Sequence, residues 1–372
     1  MDKRLYEVSG WLKEEKIDFA FLNSITNVFY MSGFSCRPYE RLLGLLIFQD
    51  TDPILICPQM EVEQVKNSGW ECNIISYTDN EDPWEMIHTS LVKRGVSQPK
   101  AFAIEKILLS HYRSEKLQSL FPSASVASID DKMNSMRLIK NEKEIESMKE
   151  AVRLAEFGIE VGIKALKEGC TELEIIAYIE YEQKKKGIHE MSAPQFVLFG
   201  DNSGHPHGAP GLRKLSKGDL VMFDLGVKVD GYYSDITRTF AFNSITKQKQ
   251  EMYDTVLAAN LKAIESCKPG IRIAEIDEIA RKVIVDAGYG EYYPHRVGHG
   301  LGLEGHEFPS MNQENKHLLA EGMTFTIEPG IYIPGIGGVR IEDDVLVTKD
   351  GPKLLTQYPK GLQILEDSRV ES

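Results

Sequence analysis

The sequence has no apolar stretch long enough to span a membrane, and its first residues contain no apolar core of the kind found in secretory signals. Positive charge is scarce, because 43 lysines and arginines face 56 aspartates and glutamates, which gives a net charge of −13. That balance disfavours a nucleic-acid-binding protein. The five cysteines are odd in number and lack close CxxC spacing, which indicates free buried thiols. We therefore expect a cytoplasmic protein with neither membrane nor nucleic acid as a partner.

The chain is long enough for two domains with separate cores, since it has 372 residues, of which an ordinary 42% are hydrophobic. The first part alternates short apolar runs with amphipathic segments, beginning with a predicted helix over 3–16. The run Arg41–Phe48 is almost continuously apolar, as in a strand buried on both faces. This alternation predicts an α/β domain that ends near the polar segment Asp130–Asn134. We place the two domains at 1–131 and 132–372.

Helix signals occur twice in the second domain, in the same order. Asn141 and Glu144 form a capping box at the start of a long helix, and a further helix begins after Thr171. About a hundred residues later, helices are again predicted over 247–267 and 273–287. An acidic hairpin follows each pair of helices. We interpret the second domain as an α+β structure with an internal duplication.

The first acidic hairpin contains Asp224 and Asp235 on either side of an Asp-Gly dipeptide at 230–231. Asp-Gly between apolar runs predicts a two-residue turn. Counting back from that turn places Asp224 opposite Thr237. Asp224 and Asp235 are then diagonal neighbours on one face, at about 7–8 Å between their backbones.

The second acidic hairpin contains Glu328 and Glu342. If its turn is centred on Ile336, Glu328 lies opposite Asp344, with Glu342 on the diagonal. Four converging carboxylates on apolar strands need compensating positive charge, and metal ions supply it most compactly. The alternative is that these are ordinary solvent-facing acids of two edge hairpins.

Histidines are concentrated in three glycine-rich loops that precede these hairpins. They are His205, His207, His295, His299 and His306. His295 and His299 have the spacing of a helical zinc pair, but the neighbouring proline and glycines disfavour a helix there. From the sequence alone, His205 and His295 are interpreted as structural hydrogen-bonding residues.

Several segments are similar to one known group of enzymes. FDLGVKVDGYYSDITRT, HRVGHGLGLEGHE, IEPGIYIPGIGGVRIEDD and SGHPHG together resemble the pita-bread metallopeptidases, in the branch of prolidase and aminopeptidase P. YMSGFSCRPYERLLGLLIF is similar to the creatinase-type N-terminal domain of that branch. The resemblance implies a creatinase-type α/β domain followed by an α+β pita-bread domain with pseudo-twofold internal symmetry.

The resemblance also implies two divalent metal ions per chain. Their ligands would be Asp224, Asp235, His299, Glu328 and Glu342. Asp235 and Glu342 would bridge the two ions. Oxygen ligands with a single imidazole favour a hard or borderline ion such as Mn²⁺, although Co²⁺, Zn²⁺ and Fe²⁺ stay open.

Catalytic roles follow from the same resemblance. Glu328 would move a proton from the attacking water to the leaving nitrogen, and His207 and His306 would donate hydrogen bonds to the substrate. Arg340 shares the strand parity of Glu342, so we expect it to lie beside the metals as a charge-balancing residue, the alternative being a structural ion pair at the surface. His295 is a further substrate-binding candidate.

The first domain resembles a dimerisation and site-closing domain. Its Arg37 and Tyr39 are candidates to bind substrate in the partner's active site of a homodimer, the alternative being an ordinary surface loop. The implied function is hydrolysis of Xaa-Pro bonds in proline-containing peptides. We expect a dipeptidase (prolidase), because the chain is short and its motif loops carry few insertions. The alternatives are aminopeptidase P, a creatinase-like metal-free hydrolase and a non-catalytic peptide-binding module.

Overall fold

A computed structural model describes residues 3–191 and 195–367. The chain divides into two compact units, Met1–Met136 and Arg137–Ser372. The expected boundary at 131/132 lies five residues before this division (136 − 131 = 5). Among the described helices, none is long and apolar enough to cross a membrane.

Unit 1 has the strand and helix alternation expected of an α/β domain. Its strands are β1 (Phe19–Leu22), β2 (Gly44–Phe48), β3 (Ile54–Pro58), β4 (Asn73–Tyr77), β5 (Ala101–Ile104) and β6 (Ser125–Ser128). Its helices are α1 (Lys3–Glu14), α2 (Ile25–Ser32), α3 (Val62–Asn67), α4 (Pro83–Lys93) and α5 (His111–Leu120), and α6 (Asp130–Leu138) contains the division between the units.

The strands of unit 1 form one mixed sheet in the order β4-β3-β2-β1-β5-β6. The central strands β1, β2 and β3 are buried along their whole length, as their continuous apolar runs predict. Their side chains join those of α4 and α5 in one core that includes Phe19, Phe102 and Leu117. The prediction of an α/β first domain is confirmed.

Unit 2 contains two successive helix pairs, as its sequence pattern predicts. The helices are α7 (Glu142–Ala165), α8 (Glu172–Lys185), α9 (Lys247–Ser266) and α10 (Ile273–Asp286). The capping boxes at Asn141 and Thr171 are both present, each completed by a glutamate three residues later. Each pair precedes an acidic hairpin, so the internal duplication is confirmed.

The strands of unit 2 are short, and most of them belong to the two hairpins. They are β7 (Glu190–Met191), β8 (Phe196–Phe199), β9 (Leu220–Leu225), β10 (Val227–Val229), β11 (Tyr232–Tyr233), β12 (Ile236–Phe242), β13 (Gly298–Gly300), β14 (Glu307–Met311), β15 (Thr324–Ile327), β16 (Gly330–Ile333), β17 (Gly337–Arg340), β18 (Asp343–Thr348), β19 (Gly351–Leu354) and β20 (Ile364–Leu365). The sheet β20-β12-β9-β8 carries the first acidic hairpin, and β14-β13-β15-β18-β19 carries the second.

The register of the first hairpin is the predicted one. Val229 pairs with Tyr232 across the turn, and Asp224 pairs with Thr237. Asp230 and Gly231 both have positive φ, of 48° and 90°, as a tight two-residue turn between twisted strands requires.

The predicted register of the second hairpin is wrong by two residues. Ile333 pairs with Gly337, and Asp344 pairs with Thr326 instead of Glu328. The turn is centred on Gly335, whose φ of 74° places it in the left-handed region that glycine adopts readily. Glu328 and Glu342 are therefore at directly opposed positions. A shift by an even number of residues leaves every side chain on its original face, so the convergence of the acids survives the error.

A buried arginine of the first hairpin joins the second. Arg238 in β12 is 1% exposed and lies 2.8 Å from Asp343 of β18. Its guanidinium also donates to the main-chain oxygens of Glu342 and Tyr358. Lys360 and Asn260 reach the same Asp343 carboxylate. Burial alone would raise the pKa of Asp343, but Arg238 and Lys360 lower it, so this carboxylate stays charged.

All five cysteines are free. Cys57, Cys170 and Cys267 are buried, as predicted, whereas Cys36 and Cys72 are half-buried. Burial raises the pKa of Cys57 to about 12, which keeps this thiol protonated and unreactive near neutral pH.

Candidate metal centre

The four hairpin acids lie where the hairpin strands are interrupted. Asp224 is the penultimate residue of β9, and Asp235 immediately precedes β12. Glu328 follows β15, and Glu342 falls between β17 and β18. At these breaks each hairpin leaves one sheet and continues in another. Asp235, Glu328 and Glu342 thereby lie just outside the strands, whereas Asp224 stays within the ladder, paired with Phe196 and Thr237.

The backbone at three of these positions is hydrogen-bonded to other segments. The N–H of Asp235 donates to the Asp344 carboxylate, and the N–H of Glu342 donates to the main-chain oxygen of Thr237. The N–H of Glu328 donates to the main-chain oxygen of Val297 at 2.7 Å. Two of these bonds connect the halves of the duplication, so they fix one acidic hairpin relative to the other.

The acids converge with two histidines. Three groups of side chains each bring their nitrogen or oxygen atoms within 4.8 Å of one another. They are Asp224-Asp235-Glu342, His299-Glu328-Glu342 and Asp235-His299-His306. Asp235, His299 and Glu342 each take part in two groups, and of these only the two carboxylates have a pair of oxygens with which to bridge two ions. All five expected ligands are among these residues, and His306 is an addition.

His299 is suited to bind a metal because it is neutral. It is 2% exposed, and burial, together with the nearby His306, lowers its pKa to about 3. Its Nδ1 lies 3.2 Å from the main-chain oxygen of Gly300, and its Nε2 lies 3.4 Å from Glu328 Oε1. With the proton on Nδ1, Nε2 has a free lone pair directed at the acids. The strand β13 around it confirms that no zinc-binding helix forms with His295.

The four carboxylates of the cluster repel one another and need a compensating positive charge. Burial and neighbouring carboxylates raise the pKa of Asp235 and of Glu342 well above the ordinary value. Burial raises the pKa of Glu328 to about 7, with Asp224 contributing in the same direction. Four acids and one neutral imidazole therefore form a donor set that divalent cations complement.

Arg340 lies next to the cluster and not at the surface, so the alternative of a surface ion pair is wrong. The residue is 4% exposed, and its Nη2 is paired with Asp224 Oδ2. Nε donates to Thr237 Oγ1 at 3.1 Å, and Nη1 donates to Tyr332 Oη at 2.9 Å. Thr237 Oγ1 in turn donates to Glu342 at 2.6 Å. Arg340 thus offsets charge at one acid and orients another through the threonine.

His295 has partners at both ring nitrogens, as its structural interpretation predicts. Nδ1 is 2.8 Å from the main-chain oxygen of Arg296, and Nε2 is 2.9 Å from Tyr332 Oη. Since the carbonyl only accepts, Nδ1 carries the proton and Nε2 accepts from Tyr332. Burial lowers the pKa of His295 to about 4 and keeps the ring neutral.

His306 and His207 are exposed, in contrast to His299. The His306 ring is stacked on that of His299, with centroids 3.7 Å apart and planes inclined by 17°. Arg296 Nη2 lies 3.3 Å from His306 Nδ1. A guanidinium only donates, so Nδ1 accepts and the proton of the neutral ring is on Nε2. His207 and His205 lie in the loop after the 3₁₀ helix Gly200–Gly204.

Comparison with known proteins agrees with this geometry. Residues 146–349 match the model of metallopeptidase family M24, and residues 4–139 match that of the creatinase/prolidase N-terminal domain. The chain belongs to metallopeptidase family M24. A relative from Bacillus subtilis strain 168, named "Putative dipeptidase YkvY", is 54% identical over 97% of this chain and 99% of its own.

Solved M24 structures are similar along almost the whole chain. The prolidase from Pyrococcus horikoshii OT3 is 36% identical, with a TM-score of 0.90, over 97% of this chain and 100% of that one. The X-Pro aminopeptidase from Thermotoga maritima MSB8 is 29% identical, with a TM-score of 0.85, over 94% and 98%. The predicted combination of a creatinase-type domain with a pita-bread domain is confirmed. This M24 chain is an enzyme, a metallopeptidase.

Two predicted residues of the M24 chain lie outside the pita-bread unit. Arg37 and Tyr39 are exposed residues of unit 1, in the segment between α2 and β2. Tyr39 is 80% exposed and has a positive φ of 55°. Their expected role in a partner's site stays a prediction.

Some contributors to the site of this M24 enzyme have only weak signals in the sequence. Thr237 was identified as the partner of Asp224, but its hydroxyl bond to Glu342 joins residues 105 positions apart. Tyr332 and Arg296 lie inside the recognised motifs without an expected role. Asp344, buried behind Asp235, accepts the N–H of that residue. Its position follows from the corrected register and not from the predicted one.

Proposed function

We propose that this M24 metallopeptidase is an Xaa-Pro dipeptidase with two divalent ions per chain. Asp224, Asp235, His299, Glu328 and Glu342 would hold them. The observation that carries the proposal is the convergence of these donors into groups that share Asp235 and Glu342. The likeness to a prolidase over the whole chain supports the substrate class.

Mn²⁺ is the ion that the donor set favours. Carboxylate oxygens dominate it and one neutral imidazole completes it, whereas thiolates are absent from the described groups. Two ions bound there would polarise the scissile carbonyl and lower the pKa of an attacking water.

The residues around the ions would transfer protons and offset charge. Glu328 is the carboxylate that we propose to accept the proton of the water and deliver it to the leaving nitrogen. Thr326 Oγ1 lies 3.4 Å from Glu328 Oε1 and restrains the side chain on one side. Arg340 would pair with Asp224 and offset part of the negative charge of the cluster.

His207 and His306 are the proposed donors to the substrate. His306 carries its proton on Nε2, and its exposure leaves that N–H available to a peptide carbonyl or to the developing oxyanion. His207 is likewise exposed. His295 would act indirectly, because both of its nitrogens are engaged by the protein.

Aminopeptidase P activity is the second candidate. The likeness to the Thermotoga maritima X-Pro aminopeptidase favours it, with a TM-score of 0.85. A dipeptidase must accept the free carboxylate after proline, whereas an aminopeptidase leaves that side open to a longer chain.

The test is a comparison of metal-stripped and metal-reloaded enzyme on matched peptides. We expect stripped protein to be inactive, and Mn²⁺ to restore cleavage of Xaa-Pro dipeptides with higher kcat/KM than Xaa-Pro-Yaa-Yaa peptides. Efficient cleavage of the tetrapeptide with an inert dipeptide would establish the second candidate instead. Full activity after exhaustive chelation would reject the dinuclear mechanism.

We also propose that the enzyme is a homodimer in which Arg37 and Tyr39 of one protomer close the site of the other. Arg37→Ala and Tyr39→Ala should raise KM without changing metal content. Unchanged kinetic constants, or a monomeric mass in analytical ultracentrifugation, would reject this proposal.

A further inference from the structure

Three charged side chains of unit 2 form a buried cluster behind the His306 loop, the segment Leu301–His306 between β13 and β14. Glu307, the first residue of β14, receives Arg137 Nη2 at 2.5 Å on Oε2 and Lys140 Nζ at 2.8 Å on Oε1. Arg137 also lies 2.9 Å from Glu304. The side chains of Glu307, Lys140 and Arg137 are 4%, 2% and 6% exposed, so water screens these charges little.

The cluster is built into the loop backbone. A Cβ on Gly302 would lie 2.5 Å from Glu307 Oε1 and 2.9 Å from Lys140 Cε, so only glycine allows the ion pair to approach the loop so closely. The main chain of Gly302 also accepts the N–H of Tyr233 at 2.8 Å, and its own N–H donates to Glu304. The loop is thus attached to the ion pairs and to the first hairpin.

Charge is balanced around Glu307. Burial opposes its ionisation, but Lys140 and Arg137 lower its pKa below the ordinary value. The two cations are three residues apart at the start of the catalytic unit and reach across 170 and 167 positions of sequence. Removing one partner of such a pair leaves an unpaired buried charge, which is a severe change for the loop.

His306 immediately precedes Glu307 and depends on this loop for its position. Its ring is stacked on His299, and Arg296 fixes its tautomer at Nδ1. Neither contact fixes the backbone that carries the ring. The backbone after the ring is held where Glu307 pairs with Gly300 across β13 and β14, and the Glu307 carboxylate, with one cation on each oxygen, adds a side-chain anchor at the same position.

We propose that Arg137 and Lys140 are positioning residues that hold His306 in its donor geometry through Glu307. The inference rests on the proposed donor role of His306. It extends the functional centre to the first residues of unit 2, which none of the recognised motifs includes.

The test is a double-mutant cycle on the full-length, metal-loaded enzyme with an Xaa-Pro dipeptide. Glu307→Gln and His306→Ala should each lower kcat/KM, Glu307→Gln by about 10–100-fold, the range found when a residue that orients a functional side chain is lost. In the His306→Ala background, Glu307→Gln should lower kcat/KM by less than a further factor of about two, because its effect depends on the same ring. A purely structural role would give additive losses.

Lys140→Met and Lys140→Arg are two variants that disturb the cluster less than Glu307→Gln does, since Arg137 still pairs with Glu307 in both. We expect Lys140→Met to lower kcat/KM and Lys140→Arg to recover most of it. Arg153→Gln, which removes an exposed ion pair with Glu150 on α7, is the matched control and should leave kcat/KM unchanged. The visible spectrum of the Co²⁺-substituted enzyme should be the same in all of these variants, because no proposed ligand is altered.

The outcomes separate the two proposals. If His306→Ala is slow while Glu307→Gln and Lys140→Met retain full activity, the positioning role is wrong and the donor role stands. If the losses add in the cycle, the cluster is structural and the inference is likewise rejected. If His306→Ala itself is fully active, the donor role of His306 fails and the positioning proposal fails with it.

Discussion

The two acidic hairpins of the catalytic unit reach the same point by different geometry. In the first, the acids are aspartates at diagonal positions on either side of a two-residue turn. In the second, they are glutamates at opposed positions flanking a three-residue turn. Whether the acids of a hairpin converge therefore depends on the face on which they lie, and less on which residues are directly paired. The following predictions test how far the hairpins are equivalent.

The largest effect is expected at the two shared acids, one from each hairpin. Asp235→Asn and Glu342→Gln should each reduce kcat by more than about 10²–10³-fold, the loss caused by removing one preorganised electrostatic group. Bound metal, measured by plasma mass spectrometry after dialysis, should fall in both. If only one variant loses metal, the hairpins are not equivalent and the sharing of both acids is wrong.

The next effect concerns the contact between the hairpins. Arg238→Met should lower the free energy of unfolding of unit 2 by about 3–5 kcal/mol. The buried negative charge of Asp343 would then keep its ion pair with Lys360 but lose the one with Arg238. The three tryptophans, Trp11, Trp70 and Trp84, all lie in unit 1. Urea denaturation followed by circular dichroism should therefore shift, while the tryptophan fluorescence transition stays in place. A change below about 1 kcal/mol would mean that the hairpins are joined by other contacts.

A smaller effect is expected at Arg340, which belongs to the second hairpin but pairs with an acid of the first. Arg340→Gln should lower kcat/KM by about 10–100-fold, since Asp224 and Thr237 lose the group that orients them. Steady-state kinetics with the surface variant Arg153→Gln as control measure this. Equal activity of the two variants would show that Arg340 only stabilises the fold.

The smallest effect compares the turns. Gly335 has open space around its Cα, so Gly335→Ala suffers only from its positive φ and should cost about 1 kcal/mol. Gly231→Ala should cost a similar amount, since its φ is also positive. Gly361→Ala, in equally open space without a positive φ, is the control and should stay within about 0.5 kcal/mol. Thermal unfolding of the metal-free proteins measures all three. A loss of activity in Gly335→Ala would indicate that the turn also sets the acid positions.

Local chemistry explains which parts of the site could be predicted. The Asp230-Gly231 turn specifies its own conformation, so every pairing back to Asp224 followed from counting. Pro334-Gly335-Ile336-Gly337 offers several places for a left-handed residue, and a centre at Ile336 was one residue too far along. The helices were predictable because the capping residues Asn141 and Thr171 mark their first turns.

The remaining features depend on contacts between residues far apart in the chain. The contact of Arg296 with His306 depends on loops that carry no periodic pattern, and the contact of Arg137 with Glu307 joins the end of α6 to β14 across 170 positions. The strand interruption at Asp224 was likewise not predictable, because the apolar run around it is continuous in sequence. At Glu328, the Pro329-Gly330 dipeptide is a signal for a break that counting outward from the turn did not take into account. Sequence reasoning could assign residues to a face, but it could not show which distant side chain would meet them.

The bond from the Asp235 N–H to Asp344 joins residues 109 positions apart. During synthesis the first hairpin leaves the ribosome well before the second, carrying half of the cation-binding acids. We therefore expect stable ion uptake only after Glu342 has been synthesised and the two hairpins have joined, so that bound metal indicates a folded catalytic unit. Fragments ending before Glu342 should neither retain ions nor gain thermal protection from them.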